Sequence, residues 1–171
     1  MLKKSKTPTT SGNQYHYGQL TKEIAGVSDV KPFKRFYDPN MIKVVILDEE
    51  KRAPGADVVQ QVQKHIDAEC PIRADVTVVA ATEVPINIIA QLVLEYGTDL
   101  LTVTDMATNL IVEYLKSIAF KDSFCRYSRI ANAILDAQGV IDYTNLTVNA
   151  GSANITINDG DVAVLGTVTF T

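Results

Sequence analysis

YGQLTKEIAGVSDV (residues 17–30) and YSRIANAILDAQGVIDY (residues 127–143) are two versions of one phrase. Each opens on Tyr, continues with apolar residues at helical spacing and ends in Gly-Val-x-Asp. Tyr17, Leu20 and Ile24 correspond to Tyr127, Ile130 and Ile134; Gly26, Val27 and Asp29 correspond to Gly139, Val140 and Asp142. A stripe at three- and four-residue spacing that runs into Gly reads as a helix with a left-handed stop. The fold turns on whether the chain is built from two related helix-stop-strand modules.

Around the first copy, the pattern predicts a helix from 13 or 14 to 25, a strand over 27–36, a turn at Asp38-Pro39-Asn40 and a buried strand over 42–47 (IKVVIL). A charged loop follows over 48–55. Val58, Val59, Val62 and Ile66 then recur on one helix face over 56–68, and 74–81 alternates as a strand. The first half therefore reads α-β-β-α-β, with a border at Thr82-Glu83.

Around the second copy, a strand is expected over 85–96, with Pro85 at its start because proline cannot donate inside a central strand. The longest helix is expected over 103–120, capped by Thr102 or Thr104. The repeated phrase then supplies a helix over 128–137, capped by Ser128, and a strand over 140–148. A short strand over 154–157, a turn at Asn158-Asp159-Gly160 and a strand over 162–170 complete a β-α-α-β-β half. A helix buries one stripe and a sheet one face, so each half can close as a two-layer α/β sandwich. The expected architecture is two small sandwiches, ferredoxin-like or circularly permuted variants of that type: a flexible lead-in over 1–13, a first sandwich over 14–82 and a second over 83–171.

Composition sets limits on function. The chain has 171 residues, enough to bury roughly 70% of its unfolded surface if compact. Its 20 acidic residues outnumber 16 basic ones, without a basic stripe, which argues against nucleic acid as a partner. No apolar run reaches the ~18 residues of a membrane span and no signal peptide opens the chain, so no membrane partner is expected. Cys70 and Cys125, far apart and without a C-x-x-C pair, read as reduced thiols of a soluble protein made in a reducing cytoplasm.

The residues that could carry chemistry have simpler roles. Asp48, Glu49 and Glu50 read as a solvated loop rather than a metal site. Asn158, Asp159 and Asp161 read as a hairpin turn, since the calcium-loop spacing is missing. Cys125 would need a histidine to act as a nucleophile, and the two in the chain, His16 and His65, sit on predicted helices in structural roles. Catalytic, cofactor and metal residues are accordingly expected to be none. Among the seven tyrosines, Tyr15 and Tyr37 fall near element ends and are the candidate interface anchors.

Several stretches in order carry a family likeness: TPTTSGN (7–13), the helix and GVSDV (17–30), IKVVILD (42–48), VTVVAATEVPINI (76–88), EYLKSIAF (113–120), RYSRI with GVIDYTNLTVN (126–149) and VAVLGTVTF (162–170). Together they resemble the C-terminal part of baseplate J-like proteins, a family that includes the XkdT-like prophage tail proteins. The loop DPNM (38–41) and Arg73 depart from the pattern. The resemblance implies a structural, non-enzymatic wedge component of a contractile phage or prophage tail baseplate. Its implied partners are other wedge and hub proteins, with self-association in the ring as an option. Its implied place is the virion, after assembly in the host cytoplasm. It also implies that Leu2-Lys3-Lys4 is the stub of a longer preceding region. The alternative kept open is a tandem ferredoxin-like regulatory module binding a small metabolite; a cysteine-dependent hydrolase is a third.

Overall fold

A computed structural model describes residues 18–21, 23–34, 41–69 and 75–171, in two compact units, Met1–Ala81 and Thr82–Thr171. The lead-in, Tyr17 and the turn at 38–40 lie outside the described residues.

In the first unit, helical residues 18–21 precede β1 (Asp29–Lys34), β2 (Met41–Leu47), α1 (Ala56–Glu69) and β3 (Asp75–Ala80). The sheet order is β1-β2-β3, with β1 antiparallel and β2/β3 parallel through α1. The core forms where Ile42, Val44 and Ile46 of β2 and Val76 and Val78 of β3 meet Val62 and Ile66 of α1. Each such fully buried aliphatic side chain contributes about 1.5–3 kcal/mol relative to exposure. Ile24 and Val27, from the repeated phrase, pack against this cluster.

Both edges of this sheet are protected. On β1 stands Pro32, which offers no amide to a neighbour. On β3 the free edge is closed by a side chain: the Gln63 amide of α1 donates to the Val76 carbonyl and accepts the Val78 N–H, both at 2.8 Å. A single glutamine thus stands in for a missing strand.

The second unit runs β4 (Thr82–Leu94), α2 (Leu100–Ile118), β5 (Phe124–Cys125), α3 (Tyr127–Leu135), β6 (Val140–Val148), β7 (Ile155–Thr156) and β8 (Asp161–Phe170). The main sheet is β6-β4-β8, antiparallel to β6 and parallel to β8, and β5 pairs with β7. Ile86, Ile88 and Ala90 of β4 meet Val103, Ala107, Ile111 and Leu115 of α2 and Ile130 and Ile134 of α3. Small residues such as Ala107, Ala131 and Ala133 in this core leave room for α2 to pack against α3.

The α/β class matches the expectation, while several boundaries move for physical reasons. β4 starts at Thr82 and runs through Pro85. Along Thr82–Ile86 it pairs only with β8, and ladder pairing to β6 begins at Ile88. The missing proline amide faces that open side, where the Asn149 side chain donates to the Pro85 carbonyl at 3.1 Å. α2 starts three residues earlier than expected because Asp99, not Thr102 or Thr104, is the cap; its carboxylate accepts the Thr102 N–H and hydroxyl, each at 2.9 Å. It stops at Ile118 because Phe120 takes φ 55°. α3 begins at Tyr127 behind Arg126, with no side-chain cap, so Ser128 does not serve as one.

Side-chain amides hold two bulges against β4. Asn87 Oδ1 accepts the Thr167 N–H at 2.8 Å where the β8 register shifts, and a Cβ on Gly166 would lie 2.2 Å from that oxygen. Gln91 Oε1 accepts the Asn145 amide at 2.7 Å and the Thr144 hydroxyl at 3.2 Å where β6 bulges, with Asn145 at φ 54°.

The repeated phrase has a common structural outcome. Gly26 and Gly139 take φ 89° and 93°. In each copy the next Val N–H donates three residues back, Val27 to the Ile24 carbonyl and Val140 to the Ala137 carbonyl. Each stop then delivers the strand that lies antiparallel to the central strand of its sheet.

The surroundings of the two glycines differ. A Cβ on Gly139 would stand 2.6 Å from Thr98 Cγ2, whereas on Gly26 it would make ordinary contact with Val58 at 3.8 Å. Gly26→Ala is therefore expected to cost about 1 kcal/mol from backbone strain alone, and Gly139→Ala roughly 2 kcal/mol or more; denaturant titration of both variants checks the order. Gln63→Leu should cost about 1–2 kcal/mol, because two edge groups lose their partner. It should also speed hydrogen exchange at the Val78 amide specifically, which NMR would detect.

Candidate functional site

The candidate nucleophile is sealed. Cys125 is fully buried on β5, and burial pushes its thiol up to about 11, against a smaller lowering by the Tyr114 hydroxyl. Desolvation, the larger of the two effects, disfavours the thiolate that nucleophilic chemistry requires. Tyr114 accepts the Arg126 N–H at 2.8 Å, and burial raises its own hydroxyl. Beside it Arg126 pairs with Asp122, whose carboxyl that hydrogen bond lowers. These contacts join α2 to the start of α3, a structural use of the polar groups. No histidine occurs in Thr82–Thr171, so this unit brings none of its own to Cys125.

His65 sits on α1 with Nε2 buried, 3.5 Å from the Glu23 carboxylate and without a hydrogen bond. It clasps the end of the first helical segment to α1. Tyr15, Tyr37, His16 and Cys70 lie outside the described residues.

The acidic run is a turn. Asp48 Oδ1 accepts the Arg52 N–H at 2.8 Å, and the Lys51 N–H reaches the Asp48 carbonyl at 3.0 Å. Lys51, at φ 59°, sends its ammonium to Asp29 at 2.9 Å and to the Ser28 hydroxyl at 3.1 Å. A recess of about 300 Å³ lies here, lined by Gly26, Asp48, Glu49, Glu50, Pro54, Gly55 and Val58. Among the described residues no group of three or more His, Cys, Asp or Glu side chains could hold a metal ion. Asn158–Asp161 is a turn, closed by Asp161 N–H to the Asn158 carbonyl at 3.0 Å, but not the hairpin expected from the sequence, because β7 pairs with β5 and β8 with β4. No described helix is long and apolar enough to cross a membrane.

What the second unit does present is an outward surface. On β4 the odd-numbered side chains Asn87, Ile89, Gln91 and Val93 face away from the helices and are exposed. Tyr96, Leu101 and Ile141 project into solvent at one end of the unit. Sequence reasoning did not single out these three, since Tyr96 and Ile141 fall in the strands expected over 85–96 and 140–148 and Leu101 precedes the expected helix. Their crowding depends on which strands end together.

The thiol makes a direct test. In a Cys70→Ser background, Cys125 is expected to resist an alkylating reagent at pH 8 and to react once the chain is unfolded. The sign for stability follows from the raised folded pKa: protection holds below the unfolded thiol pKa and weakens as pH rises toward about 11. Fast labelling of the folded variant at neutral pH is the contrary result.

Comparison with known proteins gives the family. The model of the baseplate J-like central domain matches residues 9–80, and that of the baseplate J-like protein C-terminal domain matches residues 86–171. The phage-like element PBSX protein XkdT of Bacillus subtilis (strain 168) is 28% identical over 165 residues, covering 92% of this chain and 47% of the relative. YqbT of the same strain is 27% identical over 165 residues, with the same coverage. The chain thus spans about half the length of the curated relatives it matches. A chain in the 6-fold symmetrised cryo-EM structure of the anti-feeding prophage (AFP) baseplate shares the fold, with a TM-score of 0.64 at 10% identity, over 90% of this chain and 37% of that one. With both domain models matched in order along its length, the chain belongs to the baseplate J-like protein family.

Proposed function

We propose that this chain is a non-enzymatic structural component of the baseplate of a contractile phage tail or related prophage particle. It acts there as part of a wedge, gripped by other baseplate proteins, after assembly in the host cytoplasm. The observation that carries the reading is the colinear match of two baseplate J-like domain models over residues 9–80 and 86–171. The buried, poorly acidic thiol of Cys125 and the self-satisfied acidic turn at Asp48 support a structural rather than catalytic use of the polar residues. A compact sheet with protected edges, as in the first unit, suits a scaffold. Gln63 and Pro32 block unprogrammed strand addition, so contacts with neighbours would be made by surfaces chosen for the purpose.

The test is reconstitution. The purified chain is expected to associate with at least one tail protein encoded beside it, and particles from a deletion strain are expected to lack baseplates by electron microscopy. Normal baseplates in the deletion strain would sink the reading. A saturable thermal shift with an amino acid or nucleotide would favour the metabolite-binding module instead.

A further inference from the structure

Six of the ten large apolar side chains that stand exposed among the described residues gather at one end of the second unit: Val93, Tyr96, Leu100, Leu101, Leu135 and Ile141. Topology brings them together. Leu94 at the end of β4 pairs with Val140 at the start of β6, and the Glu95 N–H donates to the Gly139 carbonyl at 2.9 Å. The β4–α2 turn, the first turn of α2, the end of α3 and the start of β6 therefore share this tip. Tyr96 is 108% exposed, Leu101 70% and Ile141 60%.

The tip is also acidic. Glu95, Asp99, Asp136 and Asp142 are all exposed there. Every Lys and Arg of Thr82–Thr171 falls between Lys116 and Arg129, in the far half of α2, the loop after it and the first turn of α3. No cation of this unit is left at the tip to balance four carboxylates. The turn is set firmly before any partner arrives: Gly97 and Gly139 supply positive φ, Thr98 packs against Gly139, and the Asp99 carboxylate is tied to Thr102, whose backbone hydrogen bond holds it below the usual carboxylate range.

We propose that this tip is a docking surface for a different protein chain, one presenting an apolar surface flanked by lysine or arginine. An apolar centre with a charged rim is the anatomy of a specific protein interface, and a preset turn lowers the ordering cost of binding. The rim sign selects the partner. Four carboxylates repel an anionic bilayer, which disfavours membrane insertion of Tyr96 and Leu101. A second copy of this chain fits less well, because at its basic end Arg126 is engaged by Asp122 and Phe124 is the one large apolar side chain exposed among the described residues there. The proposal rests on the assembly reading above and adds the surface and the chemistry of what it meets.

The experiment uses the whole chain and the tail proteins encoded on either side of its gene, purified one at a time. Binding is measured by biolayer interferometry at about 50 and about 300 mM NaCl, where charged rims are screened to different extents. The expected result is one neighbour whose affinity falls with salt and falls roughly tenfold or more in Tyr96→Ser/Leu101→Ser/Ile141→Ser, and also in Glu95→Lys/Asp142→Lys. Unchanged thermal midpoints would show that both variants fold, since all five side chains are exposed. A neighbour that binds the wild type and both variants equally would overturn the tip assignment while leaving the assembly reading intact. Tip-dependent self-association in sedimentation, or tip-dependent binding to vesicles of phosphatidylcholine with phosphatidylglycerol, would overturn the assigned partner. No binding to any neighbour would remove both.

Discussion

The reversal at Gly139 governs how the second unit closes. With φ 93° and the Thr98 methyl only 2.6 Å from where a Cβ would stand, the position favours hydrogen alone. α3 has ended at Leu135, and the turn that closes at Gly139 sends the chain into β6 against β4. Gly26 does the same for β1 beside β2, under a looser neighbour. Two glycine stops thus fix one edge of each sheet, and each central strand is followed by the helix that covers it. What differs is the third strand. β3 returns directly through α1, whereas β8 arrives only after β6 and β7.

Once the edges are placed, polar side chains keep them in register. Asn87 and Gln91 stand two turns of the pleat apart on the outward face of β4, and each clamps a bulge in the strand beside it. Asn149 extends this scheme past the last ladder pair, accepting the Asn87 N–H at 2.8 Å through its side chain while its own N–H reaches the Asn87 carbonyl. These amides let β4 carry a proline and two bulged neighbours without leaving the backbone near Pro85 and Asn87 unpaired. In the first unit Gln63 does comparable work from a helix. Such groups contribute about 1 kcal/mol each, small beside the apolar core, but a one-residue slip would turn every buried side chain outward.

Much of this order was legible in the sequence, for reasons that mark its limits. Periodicity located α1 through Val58, Val62 and Ile66, and β-branched density located β2, because each signal is local. The glycine stops were legible because left-handed backbone has a strong residue preference. Strand direction was not: nothing local to β3 or β8 says that each lies parallel to the central strand of its sheet, and both main sheets are three-stranded and mixed. Pro85 misled the β4 boundary because a proline is forbidden only where its missing amide faces a partner strand. Thr102 looked like the cap of α2, but it is the residue that Asp99 caps. For the candidate site, Cys125 carries no catalytic motif in the sequence, and the structure buries it among apolar neighbours. The sequence could not assemble the tip, whose members are about 40 residues apart and meet through the β4–β6 pairing.

A scaffold subunit faces a conflict between exposing enough apolar surface to be gripped and avoiding association with whatever else it meets. The distribution of features in this chain resolves it by location. In the first unit the edges that would bind any strand are protected by Pro32 and Gln63, and in the second β6 and β8 are bulged, which works against main-chain pairing, the least selective form of protein contact. Exposed apolar side chains are concentrated instead on a turn whose backbone is fixed and whose surroundings carry one sign of charge. Like-charge repulsion between tips then works against homotypic collapse, while a partner of opposite sign gains both the apolar contact and the electrostatic one. Selectivity of this kind does not depend on a cavity or a catalytic group. It explains why this chain can keep a buried thiol at Cys125, a self-satisfied acidic turn and a histidine without a hydrogen bond, and yet carry specific information at its surface.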